Sequence, residues 1–169
     1  MGGRKKASQQ AAGRLSEADS AAVRLAAMDA LARREHSRYE LINKLCAKGA
    51  DTALAEKVLE QLREENLQSD QRFVEDWVNN RYRRGQGPMK VRAELSQHQL
   101  EGGLVESQLS RSDLDWFEAA RLAYQKKYGT QPIDDYNERA KRMRFLQGRG
   151  FYAEHIQYAL SAPQSGEQW

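Results

Sequence analysis

The chain repeats itself. Leu45, Leu95 and Leu146 fall at one equivalent position, Leu59, Leu109 and Leu160 at a second, and Gly49, Gln99 and Gly150 at a third, at a spacing of roughly fifty residues. Recurrence of this kind marks one supersecondary unit used several times, each copy too small to bury its apolar face alone. Each copy reads as helix, helix, short helix. The expected fold is therefore all-α, with three tandem three-helix repeats forming an elongated, curved body. The period is longer than the ~34 residues of the tetratricopeptide repeat, and the aromatic pattern of that repeat is missing. The boundaries expected are a disordered basic N-terminal arm over 1–18, repeats over 19–68, 69–111 and 112–162, and a disordered tail over 163–169 that includes Trp169.

Local signals support the helices. Val23, Ala26, Ala27, Ala30 and Leu31 lie at spacings of three and four, which predicts a first helix from Asp19 or Ser20 to about Glu35. Ser37 with Glu40 has the capping-box form and opens a second helix carrying Leu41, Ile42 and Leu45. Gly49 supplies a left-handed stop, and Asp51 or Thr52 caps a third helix with Leu54, Val58, Leu59 and Leu62. Ser69 or Asp70 opens the next copy, and Ser112 with its "SDLD" the last. The tract "RRGQGPMKVR" reads as helix punctuation: Gly85 stops one helix, and Gly87 and Pro88 start another, with proline at the first helical position. It lacks the third glycine of a dinucleotide fingerprint, the Gly-Lys-Ser/Thr of a phosphate loop and a preceding strand. Asp135 with Glu138 caps a late helix, and the link from Tyr128 to Asp135 is longer than its counterparts.

Composition narrows the chemistry. With 40% hydrophobic and 30% charged residues the chain can bury a core, but not a thick one. No apolar run approaches the ~20 residues that cross a bilayer, and the basic N-terminus has no apolar stretch of a secretory signal. A soluble, cytoplasmic protein is expected. Cys46 is the one cysteine and reads as a small core hydrophobe. His36, His98 and His155 are scattered, no Gly-x-Ser-x-Gly elbow occurs, and the acid pairs sit at helix ends. No catalytic constellation, metal site or cofactor is expected. Trp77 and Trp116 lie on apolar faces and read as core.

The net charge of +3 is modest, but its placement is not even. Arg81, Arg83, Arg84, Lys90 and Arg92 form an acid-free stretch. Arg139, Lys141, Arg142, Arg144 and Arg149 form another at a similar place in the following repeat. One such stretch is ordinarily a solvated helix face. Two in successive repeats point to a contact surface for an acidic protein face or for nucleic acid.

"FVEDWVNNRYRRGQGPMKVRAEL" (Phe73 to Leu95) closely resembles the central signature of the RecX family of bacterial regulators of the RecA recombinase. "ALARREHSRYELINKLCAKG" (Ala30 to Gly49) and "RAKRMRFLQGRGF" (Arg139 to Phe151) are similar to its N-terminal and C-terminal motifs. The resemblance covers about Ala21 to Leu160. It implies an all-helical, non-enzymatic protein that binds RecA, free and as the nucleoprotein filament on single-stranded DNA. It further implies inhibition of RecA's ATP hydrolysis, strand exchange and co-protease activity, and so restraint of recombination, DNA repair and the SOS response. Direct DNA binding is known for some members. A monomer with no membrane association is expected. By motif match, the ten basic residues above are the RecA or DNA contact candidates, and Gly85, Gly87 and Pro88 are residues of the fold.

Overall fold

The computed structural model describes residues 19–161, and these are helical with no strand among them. The N-terminal arm, the final tail and Trp169 fall outside the described residues. Nine helices occur among the described residues: α1 over 19–31, α2 Arg38–Ala47, α3 Thr52–Glu64, α4 Asp70–Arg83, α5 Pro88–Leu95, α6 Leu104–Leu109, α7 Trp116–Tyr128, α8 Tyr136–Gly148 and α9 Ala153–Ser161. A 3-10 turn, Ser96–His98, follows α5. None of the helices among the described residues is long and apolar enough to cross a membrane.

Side-chain caps set the starts. The Glu40 N–H donates to Ser37 Oγ at 3.1 Å, Leu54 N–H to Asp51 Oδ2 at 3.2 Å, and Arg72 N–H to Ser69 Oγ at 3.2 Å. The Glu118 N–H donates to Asp115 Oδ1 at 2.9 Å and Glu138 N–H to Asp135 Oδ1 at 2.8 Å. Each satisfies an amide that the helix itself leaves free. The third equivalent position of the repeat proves to be a backbone requirement. Gly49, Gln99 and Gly150 have φ of 96°, 49° and 90°, so all three copies turn through the left-handed region there. The leucines four residues earlier, Leu45, Leu95 and, in the third copy, Leu146, are all buried.

The chain divides spatially within α4, between Phe73 and Val74. The first unit holds α1 to α3 and the opening turn of α4. Its core is small and aliphatic: Val23, Ala27, Ala30, Leu41, Leu45, Ala55, Val58, Leu59 and Leu62. Cys46 packs against this core but is only half-buried, with Sγ 3.5 Å from Thr52 Oγ1. α1 ends at residue 31, four residues short of the expected Glu35. The reason is His36, which is buried and holds the Arg34 carbonyl through Nδ1–H at 2.9 Å. That bond bends the chain away from a helical path. The Gln68 amide, also buried, donates to the His36 carbonyl at 3.2 Å and to Asp70 Oδ1 at 3.0 Å, which closes the corner.

The second unit holds the rest of α4 and α5 to α9. Its core is richer in aromatic residues, with Trp116, Tyr124, Tyr128 and Phe151 buried beside Val91, Leu95, Leu146 and Ile156. Trp116 is core as expected, its indole N–H donating to the Leu109 carbonyl at 2.9 Å. Trp77 is half-buried, and its N–H donates to Glu94 at 3.0 Å.

Glycine in "GQGP" answers to a second need besides punctuation. Gly87 N–H donates to the Arg149 carbonyl at 2.7 Å, and Met89 N–H donates to the Gly150 carbonyl at 3.0 Å. A Cβ on Gly87 would stand well inside contact distance of the Gly150 backbone, and one on Gly150 would strike Lys90. Two glycine turns, one from each basic motif, thus meet backbone to backbone. Only hydrogen side chains permit that approach.

Candidate functional site

Meeting at these turns draws the two basic stretches together, and the structure sorts their members. Arg83 and Arg84 are exposed at the C-terminal end of α4. Arg149, the residue that caps the end of α8, turns back so that its guanidinium donates to the Arg84 carbonyl at 3.1 Å. These three line an open cleft of about 490 Å³. α7 contributes Lys126 and Lys127 and, beside them, the apolar Ala119, Leu122 and Ala123. Gly85 allows this closeness: a Cβ there would already sit 3.3 Å from Ala123 Cβ. Tyr82 and Phe145 complete the lining, which contains five cations and no carboxylate.

Part of that positive charge has a structural use. α4, α7 and α8 each end at the cleft, and a helix C-terminus carries roughly −0.5 charge. Three such ends offset about 1.5 of the five positive charges, leaving a surplus of roughly three and a half. Among the described residues none of the five is in an ion pair: Lys127 and Arg149 instead lie over the Phe145 ring, at 4.2 Å and 5.4 Å from its centroid. The surplus is therefore open to an external anion.

The remaining candidates go elsewhere. Arg81 pairs with Glu94 at 2.7 Å and stacks on Trp77 at 4.5 Å. Arg92 makes a two-pronged pair with Glu106, which holds the Glu106 carboxyl below the usual carboxylate range, and bonds the Tyr152 hydroxyl. Lys90 packs against the Gly150 turn. Arg139, Lys141 and Arg144 are exposed along α8, with Lys141 3.9 Å from Glu138.

Arg142 is not on the surface. It is 1% exposed, and its guanidinium donates to Glu138 Oε1 at 2.8 Å, Tyr124 Oη at 2.6 Å, and the carbonyls of Gln131 and Pro132 at 2.8 and 2.9 Å. It also lies over the Tyr128 ring at 4.7 Å. Arg142 thus fastens the long link between α7 and α8 to the core, and its burial withdraws it from any contact surface. Gly85 and Gly87 lie at close approaches to Ala123 and to the Gly150 backbone, and Pro88 is buried at the start of α5.

Lys126 and Lys127 were not among the candidates read from sequence. A signal for them exists. No acid occurs between Glu118 and Asp134, so α7 carries a third acid-free stretch.

Comparison with known proteins gives a consistent result. Models of the first, second and third three-helix domains of RecX match residues 24–62, 69–109 and 113–160. The "Regulatory protein RecX" of Ectopseudomonas mendocina (strain ymp) is 45% identical over 135 residues, covering 80% of this chain and 90% of its own. That of Halorhodospira halophila (strain DSM 244 / SL1) is 38% identical over 156 residues, covering 91% of this chain and 97% of its own. Among solved structures, RecX from Lactobacillus salivarius superposes with a TM-score of 0.72 at 20% identity, over 85% of this chain and 96% of that one. A second crystal structure, of "regulatory protein RecX", does so with a TM-score of 0.73 at 19% identity, over 90% and 76%. At those identities the superpositions speak for the fold alone.

Proposed function

The chain belongs to the RecX family of regulatory proteins, and from that premise we propose that it binds the RecA recombinase, both free and as the filament on single-stranded DNA. Binding restrains ATP hydrolysis, strand exchange and co-protease activity. Through them it tempers recombination, DNA repair and the SOS response in the cytoplasm. The observation that carries this reading is the cleft at the ends of α4, α7 and α8. Five cations there stand free of ion pairs among the described residues, an arrangement that suits an acidic protein face.

Two physical routes lead from binding to inhibition. A regulator that touches two filament protomers at once resists the subunit motion that accompanies ATP turnover. One seated at a filament end blocks addition while dissociation continues. Either route needs contact with protein.

A second reading, direct grip on DNA phosphates, draws on Lys141 and Arg144, exposed one turn apart on α8. Salt separates the two, because a phosphate binder loses affinity with a slope of about 0.9 per phosphate contacted on duplex DNA and about 0.7 on single strands. The test is co-sedimentation with preformed RecA–ATP–single-stranded DNA filaments beside naked single-stranded DNA, at low and physiological salt. Pelleting with filaments at a salt where naked DNA no longer retains the protein is the expected result. Equal, equally salt-sensitive retention on both would make DNA the principal ligand.

A further inference from the structure

The kind of chain segment that this cleft accepts can be taken further, on the reading that the cleft is the contact surface. We infer that it takes an acidic peptide segment anchored by one apolar side chain, rather than the backbone and bases of a nucleic acid.

The lining residues are of two characters. Arg83, Arg84 and Lys126 are exposed cations with no carboxylate among the lining residues. The α7 residues that line the same cleft beside Lys126 are apolar. Ala119 and Ala123 lie one turn apart on α7, and Leu122 beside them is 52% exposed, large for a leucine in a concave surface. Small side chains at Gly85, Ala119 and Ala123 leave a shallow trough. Its volume, about 490 Å³, is on the scale of pockets that enclose a small ligand. A bare polyanion would leave Leu122 facing water. A peptide with carboxylates flanking a leucine or phenylalanine would satisfy the cations and cover the apolar residues together, the arrangement of a buried anchor inside a polar rim.

The aromatic residues argue in the same direction. Single-stranded nucleic acid is held without sequence preference by bases stacked on open ring faces. Both rings in this cleft are engaged within the protein. Phe145 has Lys127 and Arg149 over it. Tyr82 meets Trp116 edge-on at 5.2 Å, and its hydroxyl donates to the Asp115 carbonyl at 3.3 Å. A base seeking Phe145 would have to displace the cations that lie over it, and Tyr82 is already tied to Trp116 and Asp115.

The test is fluorescence anisotropy on the full chain without RecA. The probe is a fluorescein-labelled peptide of sequence Asp-Glu-Glu-Leu-Glu-Asp-Glu-Glu, compared with the same peptide carrying serine in place of its leucine. The expected result is binding of the first peptide, weakened by about tenfold in the Arg84→Glu/Lys126→Glu variant and by severalfold in Leu122→Ser. Both substitutions are at exposed sites, and an unchanged melting curve confirms that each variant is folded. Unlabelled oligothymidylate is expected not to displace the peptide. Absence of binding, equal binding of the serine peptide, indifference to both variants, or displacement by oligothymidylate would each overturn the inference. Because RecA is absent, failure here leaves the filament co-sedimentation result standing, and failure there leaves this one standing.

Discussion

Arg84 and Arg142 come from the two basic stretches, and the sequence presents them alike. The structure gives them opposite tasks. Arg84 stands exposed in a cleft where no carboxylate competes for it. Arg142 is sealed inside, with a carboxylate, a hydroxyl and two carbonyls on its guanidinium. In a charged helical repeat, then, a basic residue's surroundings rather than its motif decide whether it can meet a partner. Charge whose side chain turns toward a neighbouring helix or loop meets partners within the protein, as Arg142 does. Charge at the glycine turns, where several helices end together, is left facing outward. Arg81 and Arg92 fit the first case, their partners Glu94 and Glu106 lying 13 and 14 residues on.

Removing the buried arginine should have the largest effect. Arg142→Ala leaves Glu138 and two loop carbonyls without their donor, and we expect a loss of about 3–5 kcal/mol in chemical denaturation. Arg139→Ala, exposed on the same helix, should change stability by no more than about 0.5 kcal/mol. Similar losses from both would dissolve the contrast between interior and surface.

Next comes the backbone seam. Gly87→Ala forces a methyl group into the Gly150 backbone and should cost about 1–3 kcal/mol. Gly102→Ala is its control: open space surrounds that position, and thermal unfolding should show little change.

Acid should act more gently. Burial lowers the His155 pKa below its ordinary value of about 6.5, although Glu154 at 3.8 Å and Asp115 oppose the shift. Its Nδ1 accepts the Tyr152 N–H at 3.3 Å at the start of α9, so the neutral ring is the one the fold uses. Between the folded and unfolded pKa values the unfolded chain binds more protons. Stability is therefore full above about pH 6.5 and declines as pH falls below it. Denaturation midpoints across that range should show the decline, and a His155→Asn variant should show less of it. Burial lowers the His36 pKa as well, so a residual decline from the first unit is expected.

The smallest effect belongs to the surface pairs. Glu106→Gln breaks an exposed pair with Arg92 and should cost no more than about 1 kcal/mol.

Much of the fold was legible in the sequence because repeats and caps are local. The equivalence of Gly49, Gln99 and Gly150 could be read from spacing, and the left-handed turns at all three are its structural content. Ser37, Asp51 and Asp135 could be read as caps from the residues that follow them. The site was only half legible. Arg83, Arg84 and Arg149 stood in the motifs, yet nothing local marks Arg142 as interior. Its pair with Glu138 four residues earlier is one that a surface arginine makes equally well, and the partners that seal it in are the Tyr124 hydroxyl and loop carbonyls ten and eleven residues before it, which any residue supplies. Lys126 and Lys127 belong to a helix between the motifs and reach the cleft only through tertiary packing. The early end of α1 was hidden for the same reason, since His36 acts through its burial.

Two variants of equal charge separate the cleft from the rest of the positive surface. Arg83→Glu/Arg84→Glu/Lys126→Glu reverses three cations in the cleft, and Arg139→Glu/Lys141→Glu/Arg144→Glu reverses three exposed on α8. Each is titrated into RecA hydrolysing ATP on single-stranded DNA. The cleft variant should lose inhibition while the α8 variant keeps most of it. Equal loss would mean that overall charge governs the interaction, and loss confined to the α8 variant would place the contact on the wrong face of this protein.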